Sequence, residues 1–439
     1  MLYHLYELNQ AALHPARAAA EACRIMWRNP LNPASHTVMG RGAAAALELF
    51  ERSTRRYRKP DWDIDRVSAH GRDVRVKPVT IASKPFCDLV HFERDLPPAM
   101  RKNDPKVLLV APMAGHFATL LRGTVRDLLP RHDVYVTEWV DARYVPRAAG
   151  PFDLDTYIDY VIDFIKLFGG DVHVIAVCQP CVPVFAAVSL MDAERDKNIP
   201  RSMVLMAGPI DARKSPTEVN RFAIGKPLSW FRRNVIAQVP WPLPGHMRLV
   251  YPGFLQLSGF MGMNLERHVS AHRDLFQNLV RGDGDSADKH REFYDEFLAV
   301  MDLTAEYYLQ TIETVFMAHK LPKGEMRHRA KKVDPAKIAR VPLMTVEGEK
   351  DDITGIGQTE AAHVLSTRLP STMRAHHLQE GVGHYGVFNG SRVRTEILPK
   401  VASFMKTNQR RKTMLGRPFA PEWLAGARRR CTAPQQAPR

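Results

Sequence analysis

No apolar run in the chain approaches the roughly 18 residues that a membrane-spanning helix needs, so a bilayer-spanning protein is not expected. The five cysteines, Cys23, Cys87, Cys178, Cys181 and Cys431, are odd in number and scattered, which argues against a disulfide framework. A lone CxxC with no second half, and no HExxH, leaves no metal site with the usual zinc spacing. The start, "MLYHLYELNQAALHPARAAAEACRIMW", has neither a basic leader nor an unbroken apolar core, so no secretory signal is read and a cytoplasmic location is expected. No base-reading motif accompanies the positive charge, so specific nucleic-acid recognition is not expected either.

What is present is a chain of 439 residues, long enough to bury the core of a large α/β domain with insertions. Its net charge of +15 is unevenly placed, because residues 406–439 carry nine Lys/Arg against the single Glu422. That end reads as a basic arm, either a solvated tail or a contact for an anionic surface.

Short apolar runs alternate with helical stretches: "VLLVA" (107–111), "DVYVTEW" (133–139), "VHVIAV" (172–177), "MVLMA" (203–207), "VPLMTV" (341–346) and "MRAHHL" (373–378). This is βαβ alternation and implies a mostly parallel, doubly wound sheet with ligands at the carboxyl ends of its strands. The expected organisation is an N-terminal helical extension (1–60, a cap or an oligomer arm), a first core segment (61–211), an inserted lid or cap (212–335), a second core segment (336–407) and the basic tail (408–439). Within the insertion, "REFYDEFLAVMDLTAEYYLQTIETVFMAH" reads as helix with Phe293, Phe297, Val300 and Met301 on a buried face. The stretch Trp241 to Met263 lacks a clear period and reads as a partly exposed apolar surface. The substrate-binding candidates there are Trp241, Tyr251, Phe254 and Phe260. The run "KGEMRHRAKK" (323–332) reads as a solvated linker.

Cys178 and Cys181 stand in "AVCQPCVPV", directly after a buried strand. A thiol-disulfide motif has this form, but it normally occupies a small domain rather than the third unit of a long sheet. The alternative is a nucleophile elbow, a strand-turn-helix that projects Cys178 toward the cleft. It places the Gln179 N–H at a helix N-terminus facing a developing oxyanion. Pro180 is tolerable in a first helical turn, whereas Pro183 is expected to distort the helix start. Cys181 should point away and be structural.

The elbow demands an acid and then a histidine after later strands, and both occur: Asp351 in "EGEKDDITG", with Asp352 as the alternative, and His384 in "QEGVGHYGVFNG". His384 would take the Cys178 proton and Asp351 would orient the imidazole. The second oxyanion amide is expected from "VLLVAPMAGHFA", at Met113 by position with Ala114 as the alternative. His116 in the same loop is another candidate base, though an oxyanion-loop or packing role fits it better.

Taken together, "YELNQAALHPARAAAE", "NPLNPASHT", "APMAGHFATLLRGTV", "VCQPCVPV", "EGEKDDITG" and "GVGHYGVFNG" resemble the intracellular polyhydroxyalkanoate depolymerases that act on poly(3-hydroxybutyrate). The resemblance implies an α/β-hydrolase fold, the residues Cys178, Asp351 and His384 as nucleophile, acid and base, and residence on cytoplasmic storage granules. No cofactor is expected, with coenzyme A possible as co-substrate. The partners expected are the granule surface and a possible second copy of the chain. Polyhydroxyalkanoate synthases use a similar elbow cysteine, so an acyltransferase is the nearest enzymatic alternative.

Overall fold

The computed structural model describes residues 2–101, 104–263, 265–409 and 430–431. Three antiparallel strands lead into the main sheet: β1 (Arg66–Ala69), β2 (Arg72–Lys84) and β3 (Cys87–Arg94). The turn between β1 and β2 holds only His70 and Gly71, both at positive φ (50° and 72°). That is the backbone a two-residue hairpin requires to match strand twist, and glycine meets it without steric cost.

The parallel part follows with β4 (Lys106–Val110), β5 (Asp133–Trp139), β6 (His173–Val177) and β7 (Ser202–Met206). The chain then makes a small antiparallel sheet of β8 (Ala237–Gln238), β9 (Leu249–Tyr251) and β10 (Leu303–Thr304), and a two-stranded turn of β11 (Arg327–His328) and β12 (Lys331–Lys332). It returns to the main sheet as β13 (Leu343–Gly348) and β14 (Arg374–Gln379). The order is β1-β2-β3-β5-β4-β6-β7-β13-β14, with Arg430–Cys431 paired to β2. From β5 to β14 all neighbours are parallel. The core strands are buried along nearly their whole length, as a sheet covered on both faces must be. This is the α/β-hydrolase architecture.

Local sequence explains the covering helices. Leu154–Lys166 starts at Asp153, whose carboxylate accepts the Thr156 N–H at 2.8 Å. Its Leu154, Ile158, Val161 and Ile165 form the buried stripe. No helix among the described residues is long and apolar enough to cross a membrane.

The segment between β7 and β13 departs from the sequence reading in three places. The helix expected from 291 onward is two helices, Gly284–Phe297 and Ala305–Thr311, separated by an extended stretch that includes β10. Met301 is buried in that stretch, and Phe293 is 46% exposed. Gly253–Met263, where no period was legible, is a helix. The run 323–332 contains the β11–β12 turn and a buried His328 rather than a plain solvated linker.

The N-terminal helices Leu2–Arg28 and Val38–Thr54 lie against this same segment. Glu48, buried on the second helix, accepts from Arg28 at 2.8 Å and from Arg291 at 2.7 Å. Tyr3 donates its hydroxyl to the buried Asp302 carboxylate at 2.6 Å. Burial and the adjacent Asp302 charge together hold the Tyr3 phenol firmly protonated. The basic segment 410–429 and residues 432–439 lie outside the described residues.

Candidate active site

The sheet order places a topological switch point between β4 and β6, because the chain leaves β4 toward β5 on one side and leaves β6 toward β7 on the other. The loops leaving the two strands diverge there and open a crevice. Cys178 is the first residue after β6. Its N–H donates to the Met206 carbonyl at 2.7 Å and its φ is 66°, a region that residues with a Cβ seldom enter. Such a conformation costs on the order of 1–3 kcal/mol and persists only where the surroundings over-determine it. Here the surroundings include Gly208, where a Cβ would lie 2.2 Å from the Cys181 Cβ and 2.8 Å from the Cys178 carbonyl oxygen. The turn and the exit of β7 therefore approach more closely than any side chain allows.

The helix Cys181–Ala193 begins immediately after, with Pro180 as its N-cap. The distortion expected from Pro183 does not occur. It is the third residue of the helix, where the missing N–H belongs to the set with no intrahelical partner, and Val184 closes the turn onto the Pro180 carbonyl at 2.9 Å. Cys181 is fully buried, with Sγ 3.4 Å from the Ala176 carbonyl and 3.6 Å from that of Met206. Burial pushes its thiol well above the ordinary range. It faces the core, not the crevice.

Asp351 follows β13 and His384 follows β14, and the two meet. His384 Nδ1 donates to Asp351 Oδ2 at 2.8 Å, and the carboxylate also accepts the main-chain N–H groups of Ile353 (2.9 Å) and Thr354 (2.7 Å) on Oδ1. An ionised carboxylate cannot donate, so Nδ1 carries the proton and Nε2 is left for Cys178. The imidazole is within hydrogen-bonding reach of Cys178. Burial opposes its protonation, but the charges of Cys178 and Asp351 and the hydrogen bonds to both outweigh burial and hold its pKa well above the usual value. Of the two acids left open by the sequence, Asp351 is the one beside His384. Asp352 is exposed.

Met113 and Ala114, in the loop after β4, and Gln179, after Cys178, border the same cavity as the sulfur. Among the hydrogen bonds of the described residues, neither the Met113 nor the Gln179 main-chain N–H has a protein acceptor. The loop is held from the other side. Met301 N–H donates to the Gly115 carbonyl at 2.7 Å, and His116 Nε2 donates to the Phe297 carbonyl at 3.0 Å. Burial lowers the His116 pKa to about 4, although the Phe297 carbonyl favours the charged form. His116 is thus a neutral tether to the inserted segment rather than a base.

The cavity holds about 550 Å³ and is walled mainly by apolar groups from that segment. Tyr251 and Phe260 line it. Trp241 and Phe254, the other two substrate-binding candidates, do not. Trp241 is 78% exposed outside it, and Phe254 stacks on Tyr6 of the N-terminal helix with ring centres 4.1 Å apart. Sequence reasoning missed Phe222, Phe231, Tyr307, Tyr308 and Thr311, all cavity residues. The Tyr307 and Thr311 pair, four apart in "AEYYLQT", was the one legible signal, a polar pair on a helix otherwise read as core.

Residues 207–409, which contain Asp351, His384 and most of the cavity wall, match the family model described as PHB de-polymerase C-terminus. Just under half of the chain therefore corresponds to the C-terminal domain of the PHB depolymerases. The protein is accordingly an ester-hydrolysing depolymerase, a carboxylic ester hydrolase. Comparison with curated proteins gives no match. In three dimensions this depolymerase is similar to a putative lipase from Acinetobacter baumannii AYE, at 11% identity and TM-score 0.39 over 76% of this chain and 93% of the other. It is similar to the 2-hydroxy-6-oxo-6-phenylhexa-2,4-dienoate hydrolase of Rhodococcus sp. strain RHA1, at 10% and 0.39 over 76% and 99%. It is similar also to the monoacylglycerol lipase of Paleococcus ferrophilus, at 10% and 0.40 over 69% and 94%. The fold of the depolymerase rests on its own strand order.

Proposed function

We propose that the depolymerase cleaves poly(3-hydroxybutyrate) and related short-chain polyesters through Cys178, His384 and Asp351, by way of a thioester. The observation that carries this reading is the positive-φ Cys178 within reach of an imidazole that Asp351 orients. The Cys178 sulfur attacks an ester carbonyl carbon and its proton rests on His384 Nε2. The new C–S bond displaces charge onto the carbonyl oxygen, which the Gln179 and Met113 amides receive. Loss of one such donor typically costs about 10²- to 10³-fold in turnover. The C–O bond then breaks and His384 returns the proton to the leaving alkoxide. Water attacks the thioester, giving its proton to His384, and the C–S bond breaks to release the acid and restore the thiol. The thiol of coenzyme A in place of water would give a 3-hydroxyacyl thioester by the same steps.

The surroundings suit an insoluble substrate. Phe222 (53% exposed) stands on the cavity wall, and Trp241, Met247 and Leu249 are exposed on the same inserted segment. Such a surface favours adsorption to an apolar granule, and the positive charge of residues 406–439 suits an anionic coat. Incubating native amorphous granules with wild type and with Cys178→Ala, with and without coenzyme A, and identifying the soluble products tests nucleophile, substrate and acceptor together. Product release by the alanine variant at the wild-type rate would end this reading.

A further inference from the structure

Two hydroxyl groups in the cavity wall lack the partners that buried polar groups ordinarily have. Tyr307 (1% exposed) and Thr311 (7% exposed) sit one turn apart on the helix Ala305–Thr311, and both border the cavity that holds Cys178. The Tyr307 hydroxyl and the Thr311 hydroxyl are shut off from solvent without a sound hydrogen-bond partner. They approach one another closely enough to interact. Even a bond between them would not satisfy both, since each group brings one proton and one of the two would still need an acceptor.

Elsewhere this protein uses helical hydroxyls differently. Thr54, Ser189, Ser258 and Thr407 each donate to the carbonyl four residues back. Thr311 does not, and the helix at that point passes into a π-helical turn, Ile312–Met317, an irregularity that recurs at functional sites. Leaving a buried hydroxyl unpaired costs about 1–3 kcal/mol, which a bound ligand can recover. The side-chain oxygen of Gln179, another residue lining this cavity, is a third buried polar atom without a partner. Tyr307 and Thr311 border the same cavity as Cys178, so a group attached to the sulfur shares that space with them.

We propose that the Tyr307 and Thr311 hydroxyls bind the oxygen carried on the third carbon of the acyl group attached to Cys178, so that the cavity selects 3-hydroxyacyl units over plain acyl chains. In the polymer that atom is the ester oxygen of the adjoining unit, and at a chain end it is a free hydroxyl. Both accept a hydrogen bond. The inference rests on the reading of Cys178 as nucleophile.

The test compares soluble phenyl esters of 3-hydroxybutyrate and butyrate, with kcat/KM measured for wild type, Tyr307→Phe, Thr311→Val and Thr311→Ser, alongside Tm. Wild type is expected to favour the 3-hydroxy ester, and Tyr307→Phe and Thr311→Val to lower that preference about 10- to 100-fold. Thr311→Ser, which keeps the hydroxyl, should retain it. Because the hydroxyls removed are unpaired, Tm should hold steady or rise. An unchanged preference in Tyr307→Phe and Thr311→Val, or equal loss on both esters together with a fall in Tm, overturns the inference while Cys178-dependent hydrolysis persists. Hydrolysis that survives Cys178→Ala overturns the nucleophile reading, and this inference with it.

Discussion

His384 and Asp351 are joined at 2.8 Å through Nδ1, and the same carboxylate is tied to the backbone at Ile353 and Thr354. The imidazole is therefore fixed in tautomer and in direction by groups that cannot themselves move freely. Asp351→Asn would present an amide able to turn its N–H₂ toward Nδ1 and favour the wrong tautomer. Turnover of a soluble ester should fall by about 10³- to 10⁴-fold. The exposed Asp352→Asn should stay within about threefold of wild type. Steady-state kinetics on both variants distinguishes them, and a larger loss at Asp352 would transfer the role.

Cys178→Ala should lower turnover by at least about 10⁴-fold. Cys181→Ser should keep most of the activity, at some cost in Tm for placing a hydroxyl among buried groups. Equal damage from both substitutions would favour a dithiol mechanism instead.

The raised pKa of His384 has a definite sign in stability. A basic group whose pKa is higher folded than unfolded stabilises fully below the unfolded value, about 6.5. That contribution declines as pH rises through the folded value. In Cys178→Ala burial still opposes the charge while the sulfur no longer favours it, so the His384 ring should titrate at lower pH than in wild type. Proton NMR of the imidazole across the pH range reads this directly. A pKa unchanged by Cys178→Ala would mean the two groups are not coupled.

Gly208→Ala places a methyl group where the Cys181 Cβ and the Cys178 carbonyl already stand. Overpacking of this kind costs roughly 1–3 kcal/mol. Because the displaced atoms belong to the elbow, activity should fall beyond what the shift in chemical denaturation midpoint explains. Loss confined to stability would show that the turn relaxes without moving the sulfur.

Much of the core was legible because buried parallel strands write themselves as uninterrupted apolar runs. The run at 172–177 became β6 (His173–Val177) and the one at 133–139 became β5 with the same ends. The order of Cys178, Asp351 and His384 followed from the fold class once the strands were placed. The inserted segment was harder for identifiable reasons. In Gly253–Met263, Phe260 turns to the cavity and Phe254 to the N-terminal helix, so apolar residues occupy more than one face and no stripe survives. The helix expected through 298–304 is broken around Asp302, which is buried because it accepts from Tyr3 and from the Gly253 N–H. Tyr3 lies 299 residues away along the chain, a partnership no periodicity can reveal.

The tethers from Met301 to Gly115 and from Phe297 to His116 couple two parts of the molecule that chemistry would otherwise treat separately. If the inserted segment swings outward to let a polymer strand thread in, it pulls on the backbone two or three positions from Met113. The enzyme would then be least able to stabilise an anionic intermediate while gaping, and best able once it has shut on its load. Such gearing would spare the thioester from forming where bulk water could intrude before the strand is properly seated.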